Sequence, residues 1–414
     1  MSAPDPPGQP ALAALVRAGE QQAQAVPLTD HIVMAVDQSN LYLVTTGDGD
    51  VLVNTGFMAS AARNAAALAP HRAGPLRRIV LTQSHADHFG GLDAFWEPGT
   101  EVIVQADFLA NLADTQRLQP FFRPRVQKLW GAVLKLDAPA PPPPKVEPDV
   151  VVDRAHAFEQ GGRRFELIST PGGETTDSLC VWLPGDGVVF TGNLFGPVFP
   201  AIPFLSTLRG DKPRLVRSYL ASLDRVRALG AETLITGHGE PIRGAAEVRA
   251  QLDRLHDAVA WVRDRTLEGM NAGKDVHTLM REIQLPDALR IGEPHGKVSW
   301  AVRAIWEEYS GWFLFDSTTS LYGVPRSSVD ADLAELAGGA AALAGRAREK
   351  LDQGRPLEAV HLLDVALGAD PRSPAALAVL KAALERLLAD GGAANLSETM
   401  WLRSELARVE GLLQ

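Results

Sequence analysis

The chain has 414 residues, of which 46% are hydrophobic and 22% charged, an ordinary globular composition with length enough for two domains. Its net charge of -10 argues against nucleic acid as the main partner, because phosphate binding that releases counterions needs a basic face. No run approaches the roughly 18–20 apolar residues of a membrane helix, which argues against a membrane partner.

Met1 to Pro10 lacks the basic start and apolar core of a signal peptide, so the expectation is a disordered end on a cytoplasmic protein. A short helix follows at Ala11 to Gln24, then strand-like runs at His31–Val36 and Asn40–Thr46. The Gly47-Asp48-Gly49-Asp50 turn leads into Val51–Gly56, and two β-rich runs across a D-G turn predict a hairpin. Ala59 to Ala69 reads as an Ala-rich helix and Leu76 to Thr82 as the next strand. From Leu92 to Leu136 one strand, Glu101–Gln105, is expected within an apolar, aromatic insert containing Phe121, Phe122 and Trp130. This insert has two readings, core packing and a roof over a site. Pro139 to Pro148 reads as a stiff connector.

Strand patterns return at Arg164–Ile168, Ser178–Leu183 and Val188–Thr191. Cys180, the single cysteine, lies within the second of these and reads as a buried structural thiol. A helix over Pro213–Leu229 leads to the strand Thr233–Thr236, which ends in Gly237-His238-Gly239. Helices are expected over Ala245–Leu267, Val276–Ile283 and Ser299–Trp312, then a linker at Ser317–Asp330. Asp332–Gln353, Pro356–Ala369 and Pro374–Ala389 have the periodicity of tetratricopeptide-like helical hairpins.

The chemistry concentrates in Thr82 to Gly91, T-Q-S-H-A-D-H-F-G-G, directly after a strand. It packs His85, Asp87 and His88 into four positions, and imidazole nitrogen with carboxylate oxygen is the donor set of zinc, iron and manganese. Strand, helix, strand and then such a loop at a strand's carboxyl end places ligands at the mouth of an open α/β sheet.

This motif resembles H-x-H-x-D-H of the metallo-β-lactamase superfamily, with Gln83 in place of the first histidine. The resemblance implies an α/β fold, an αββα sandwich, here followed by an all-α region. Thr170-Pro171-Gly172-Gly173-Glu174 and Ser206-Thr207-Leu208-Arg209-Gly210 narrow it to the bacterial alkyl-sulfatases, which place a glutamate after the P-G pair and an arginine against sulfate. No counterpart of that group's sterol-carrier-like third domain is found. The implied division is an N-terminal extension over 1–24, a catalytic domain with a helical appendage over 25–325, and a helical dimerisation domain over 326–414.

As metal ligands the resemblance implies Gln83, His85 and Glu174 at one position and Asp87, His88 and His238 at a second. Asn193 stands where a carboxylate bridging two metals is usual; it reads either as a weak ligand or partner of the nucleophile, or as a turn residue beside Gly192. Arg209 reads as a fork for sulfate or as a surface arginine. Two divalent cations outweigh Glu174, Asp87 and one hydroxide, so the pocket favours an anionic or ester substrate. Water bound to such a metal has its pKa pulled from about 15.7 to roughly 7, and Asp87 both binds and orients.

The expected function is therefore hydrolysis by a metal-bound hydroxide, first of a sulfate ester, with one or two divalent cations per chain, zinc foremost and iron or manganese compatible. No organic cofactor is called for, and the expected partner is a second copy through the C-terminal helices. The alternatives are an iron-dependent oxygenase, a lactone or thioester hydrolase, and a metal-free degenerate binding protein. His295 lies in a loop that reads as covering the pocket, with no role assigned, and Trp261, Trp300, Trp306 and Trp312 read as helix packing.

Overall fold

The structure, a computed structural model, describes residues 12–22, 24–134 and 143–414. Met1–Pro10 and the beginning of the Pro139–Pro148 connector lie outside the described residues. These residues divide into two compact units, one ending at Glu308 and the other spanning Tyr309–Gln414.

The first unit opens on α1 (Leu12–Val16) and is built on two sheets. One contains, in spatial order, β1 (Val26–Pro27), β2 (Ile32–Ala35), β3 (Leu41–Val44), β4 (Asp50–Val53), β5 (Leu76–Val80), β6 (Glu101–Gln105) and β7 (Val150–Val152). The hairpin expected across Gly47–Asp50 is present, with Tyr42 opposite Val53 and Val44 opposite Val51. From β4 to β7 the pairing is parallel. The second sheet holds β8 (Ala155–Gln160), β9 (Arg163–Ser169), β10 (Leu179–Leu183), β11 (Val188–Phe190), β12 (Thr233–Ile235) and β13 (Ile242–Arg243), with β11 and β12 parallel.

Alternation along the strands builds three cores. In β3, Tyr42 and Val44 join Phe165, Leu167, Val181 and Phe190 between the sheets, while Leu41 and Leu43 face the opposite way. There they meet α2 (Ala61–Leu68), α3 (Ala86–Phe89), α4 (Leu92–Phe95) and α5 (Phe108–Arg117), through Leu68, Phe89, Phe95 and Phe108. After α6 (Gln119–Leu134), the other outer layer comprises α7 (Val216–Ala228), α8 (Ala245–Asn271), α9 (Val276–Glu282) and α10 (Val298–Ser310), packed on Cys180, Val189 and Leu234. Strands buried on both faces read as unbroken apolar runs, which is why β3 and β10 were visible in the sequence. The order helix, sheet, sheet, helix is the αββα sandwich, and Cys180 is buried within it as expected.

The second unit is all helical: α11 (Asp330–Leu336), α12 (Ala340–Asp352), α13 (Pro356–Ala369), α14 (Pro374–Gly391) and α15 (Leu396–Leu413) share a core that includes Leu343, Leu363, Leu377 and Val409. The single helix expected over Asp332–Gln353 is two. Gly338 and Gly339 have φ of 89° and 99°, values an L side chain rarely adopts, so the glycine pair ends α11 and redirects the chain into α12. The sequence reading also passed over α15, and β8, whose half-exposed residues carry no continuous apolar run.

Candidate metal centre

The parallel strands β5, β11 and β12 end at one edge of the sandwich, and the candidate residues emerge there. Backbone bonds lock the edge together: Leu179 N donates to Thr82 O at 2.9 Å, Gly237 N to Gly192 O at 2.8 Å and Asn40 N to Gly237 O at 2.7 Å. The motif loop is organised by Asn54, which follows β4 in the left-handed region (φ 62°). Its Oδ1 accepts from Thr82 N at 2.9 Å and Thr82 Oγ1 at 3.0 Å, and its Nδ2 lies 3.0 Å from His88 Nδ1. Thr55 N then donates to His88 O at 2.8 Å. A buried side chain 34 positions away thus sets the path of the loop and the plane of its last histidine.

His88 is fully buried, with Nε2 at 3.8 Å from Asp87 Oδ2. Burial pushes its pKa down to about 3, so the imidazole is neutral. His238 is also buried and lowered for the same reason, and its Nε2 faces Asn193 Nδ2 at 3.0 Å. Asp87 is raised above the ordinary carboxylate value by burial, against the opposing charges of His85 and His238. These three groups sense one another across a common space.

Around His85 the arrangement differs. Its Nδ1 lies 2.9 Å from Gln83 Nε2 and 3.5 Å from Glu174 Oε2, and its Nε2 lies 3.3 Å from Asp211 Oδ2 and 3.2 Å from Arg209 Nη2. Burial lowers its affinity for a proton, but the bonds to Asp211 and Glu174 prevail and raise it to about 9. Burial likewise opposes ionisation of Glu174, yet His85, Arg214 and Gln83 hold that carboxyl well below its usual range. Gln83 Nε2 donates to Glu174 Oε2 at 3.0 Å, while Gln83 Oε1 and Asn193 Oδ1 are buried with no hydrogen-bond partner among the described residues.

One cavity of about 630 Å³ collects His85, Asp87, Glu174, Asn193, Arg209 and His238 on its wall. Gln83 and His88, both at 0% exposure, sit behind it. The wall also carries apolar side chains, Leu112 from α5 and Val126, Trp130 and Leu134 from α6, beside the polar Thr115, Gln116 and Gln119. This decides between the two readings of the insert: part of it is a wall of the cavity. Arg209, whose side chain is 30% exposed, belongs to the cavity as well. Among the described residues, no three His, Cys, Asp or Glu side chains are arranged as a ready-made ion cage.

Two further groups, Asp211 and Arg214, escaped the sequence reading of site residues, and a third, His295, was placed over the pocket there without a role. Asp211 directly follows the T-L-R-G segment and bridges His85 and Arg209. Arg214, with a side chain 5% exposed, donates to Phe204 O at 2.9 Å and lies 3.7 Å from Asp211, its Nε and Nη2 without hydrogen bonds. The basic residues of R-G-D-K-P-R were the signal, but nothing in the pattern says which turns inward. His295 lines the cavity between Trp130, at 5.8 Å between ring centroids, and Phe204, at 4.7 Å, and burial lowers it to about 3.

Comparison with known proteins accords with this geometry. The profile of the metallo-beta-lactamase superfamily matches residues 34–238, and that of the alkyl sulfatase dimerisation family matches residues 276–404. An (R)-specific secondary-alkylsulfatase from Pseudomonas sp. is 28% identical over 388 residues, covering 86% of this chain and 58% of that protein. A linear primary-alkylsulfatase from a Pseudomonas strain is 26% identical over 324 residues, covering 72% and 60%. The solved structure of a stereoselective inverting sec-alkylsulfatase from Pseudomonas sp. superposes with a TM-score of 0.83 at 23% identity, over 97% of this chain and 68% of that one. The chain therefore spans about three fifths of the curated relatives it matches. The sandwich and the motif loop thus belong to a metallo-beta-lactamase superfamily domain matched over residues 34–238, and residues 276–404 match the alkyl sulfatase dimerisation family.

Proposed function

We propose that this chain is a metal-dependent hydrolase of sulfate esters whose alcohol part is apolar, with zinc as its metal. The observation that carries the reading is the cavity itself, whose wall joins ionic and metal-type donors to the apolar side chains of Leu112, Val126, Trp130 and Leu134. That combination suits an anionic head with an apolar tail. The relatives described as alkylsulfatases support the choice of sulfate.

The superfamily implies a divalent cation, and the chain presents donors for one. Asp87, His88 and His238 supply one carboxylate and two imidazoles kept neutral by burial, a donor set that suits zinc and leaves a position open. Asn193, whose Oδ1 is buried without a hydrogen-bond partner among the described residues, lies beside His238. These residues fit a cation. When bound, it supplies a Lewis acid and lowers the pKa of water from about 15.7 to roughly 7.

The chain's own side chains do the rest. Arg209 offers a planar fork to the sulfate oxygens, and Asp211, 3.3 Å away, holds that fork beside His85. Asp87 orients the attacking water. Trp130 and its apolar neighbours bind the alcohol part and keep bulk water from it. Water is consumed, and sulfate and the alcohol leave.

The test is a panel of alkyl sulfates, aryl sulfates, lactones and thioesters offered to protein loaded with zinc or manganese. Inorganic sulfate release from the first two classes is expected. Turnover of lactones or thioesters with no sulfate release would sink the sulfate reading.

The helical unit supports a homodimer as the working form. It exposes large apolar side chains, Leu336 at 86%, Leu357 at 65% and Trp401 at 45%, within the region matched by the dimerisation profile. Light scattering should give twice the 44.4 kDa chain mass; a single chain mass at micromolar concentration contradicts it.

A further inference from the structure

We infer that this chain holds one divalent cation per copy, at Asp87, His88 and His238, and that Gln83 and Asn193 have turned the other position of a two-metal centre into a closed polar clamp. The inference rests on the metal-centre reading above and decides what that reading leaves open, the stoichiometry.

The first observation is the state of His85. A metal needs a bare lone pair on one ring nitrogen, and both nitrogens of His85 face protein groups. Nδ1 meets the Gln83 amide at 2.9 Å and Glu174 at 3.5 Å; Nε2 meets Asp211 at 3.3 Å and the Arg209 guanidinium at 3.2 Å. A guanidinium is a permanent cation, and a metal at Nε2 would have to displace it or sit against it. His88 and His238 also meet protein groups, but the side chains within hydrogen-bond distance of their ring nitrogens are neutral: the Asn193 amide at His238 Nε2, and Ser39, Thr82 and Asn54 around His88.

Gln83 supplies the second. Its Nε2 donates to Glu174 Oε2 at 3.0 Å, so the one carboxylate of this position is already committed to an amide as well as to His85. What Gln83 leaves unpaired is Oε1, a single neutral oxygen in place of an imidazole, and a weaker donor for zinc.

The third is Asn193. A carboxylate between two close cations offsets part of their repulsion. Asn193 is neutral, its Nδ2 bonded to His238 at 3.0 Å, and an ideal Cβ on Gly237 would fall 2.0 Å from its Oδ1. The amide is therefore wedged beside the second position, where it serves one ion and cannot neutralise two.

The experiment strips the purified full chain with a chelator, restores it with excess zinc, removes loose ion by desalting, and counts zinc per chain by elemental mass spectrometry. One equivalent is expected, retained in Gln83→Ala. Gln83→His combined with Asn193→Glu is expected to take up a second. Two equivalents in the wild-type chain overturn the inference while leaving the metal-centre reading intact; none overturns both. Loss of the single equivalent in Gln83→Ala, with a circular dichroism spectrum like that of the wild type, overturns the assignment of the occupied position. A folded double variant that still holds one equivalent overturns the role given to these two amides.

Discussion

Asp87→Ala and His238→Ala should each lose bound zinc and lower sulfate release by more than about a hundredfold, because removing even a residue that only orients a metal ligand costs roughly 10–100-fold. Both side chains line the cavity, and each lacks a substitute: the other carboxylate on its wall, Glu174, is tied to Gln83 and His85. Loss of the group leaves two donors, too few to hold zinc against water. Elemental analysis and sulfate release measured on the same preparations check the result. A variant that keeps its zinc and its activity removes that residue from the centre.

Gly91→Ala is the second large effect, and it acts through the fold. An ideal Cβ at Gly91 falls 2.2 Å from Thr55 O and 3.3 Å from Ala61 Cβ. The first contact is with backbone that cannot turn aside, since Thr55 N is bonded to His88 O. The motif loop and the start of α2 must separate, at a cost of about 1–3 kcal/mol or more for overpacking. A fall of several degrees in the unfolding temperature is expected together with weakened zinc affinity, as His88 moves with the loop. Gly185→Ala is the control, because its Cβ meets nothing within 4 Å; equal thermal shifts in the two variants would refute the steric argument.

Much of this site could be read along the chain because its donors are bunched. His85, Asp87 and His88 fall within four positions after an apolar strand, and Glu174 and His238 each follow a strand or precede one across a Gly-rich loop. A sheet edge presents such loops together, so pattern alone predicts proximity. Asn54 was not legible. Nothing in V-N-T-G marks its asparagine as the residue that accepts from Thr82 and meets His88, because those bonds exist only once β4 and β5 lie side by side. The same holds for Asp211 and Arg214, where sequence shows charges but not which of them burial forces inward.

The helical insert shows the same division. Its aromatic and aliphatic residues advertised burial, and a core and a cavity wall need the same residue types, so composition was silent between them. Packing of α6 near the motif loop assigned Val126, Trp130 and Leu134 to the cavity.

By itself, then, the sequence determined the sandwich, the edge at which chemistry sits, and the inventory of donors, including the two amides at positions where anions or imidazoles are usual. These follow from local periodicity and from residue chemistry that no fold can alter. Only the tertiary structure decided how those donors are spent. Whether a histidine offers a lone pair or is enclosed depends on what meets its two nitrogens, and for His85 those partners come from Gln83, two positions away, and Asp211, 126 positions away. Hydrogen bonding over such separations is a property of packed geometry, and it is what sets the neutral side-chain partners of His88 and His238 apart from the charged ones around His85.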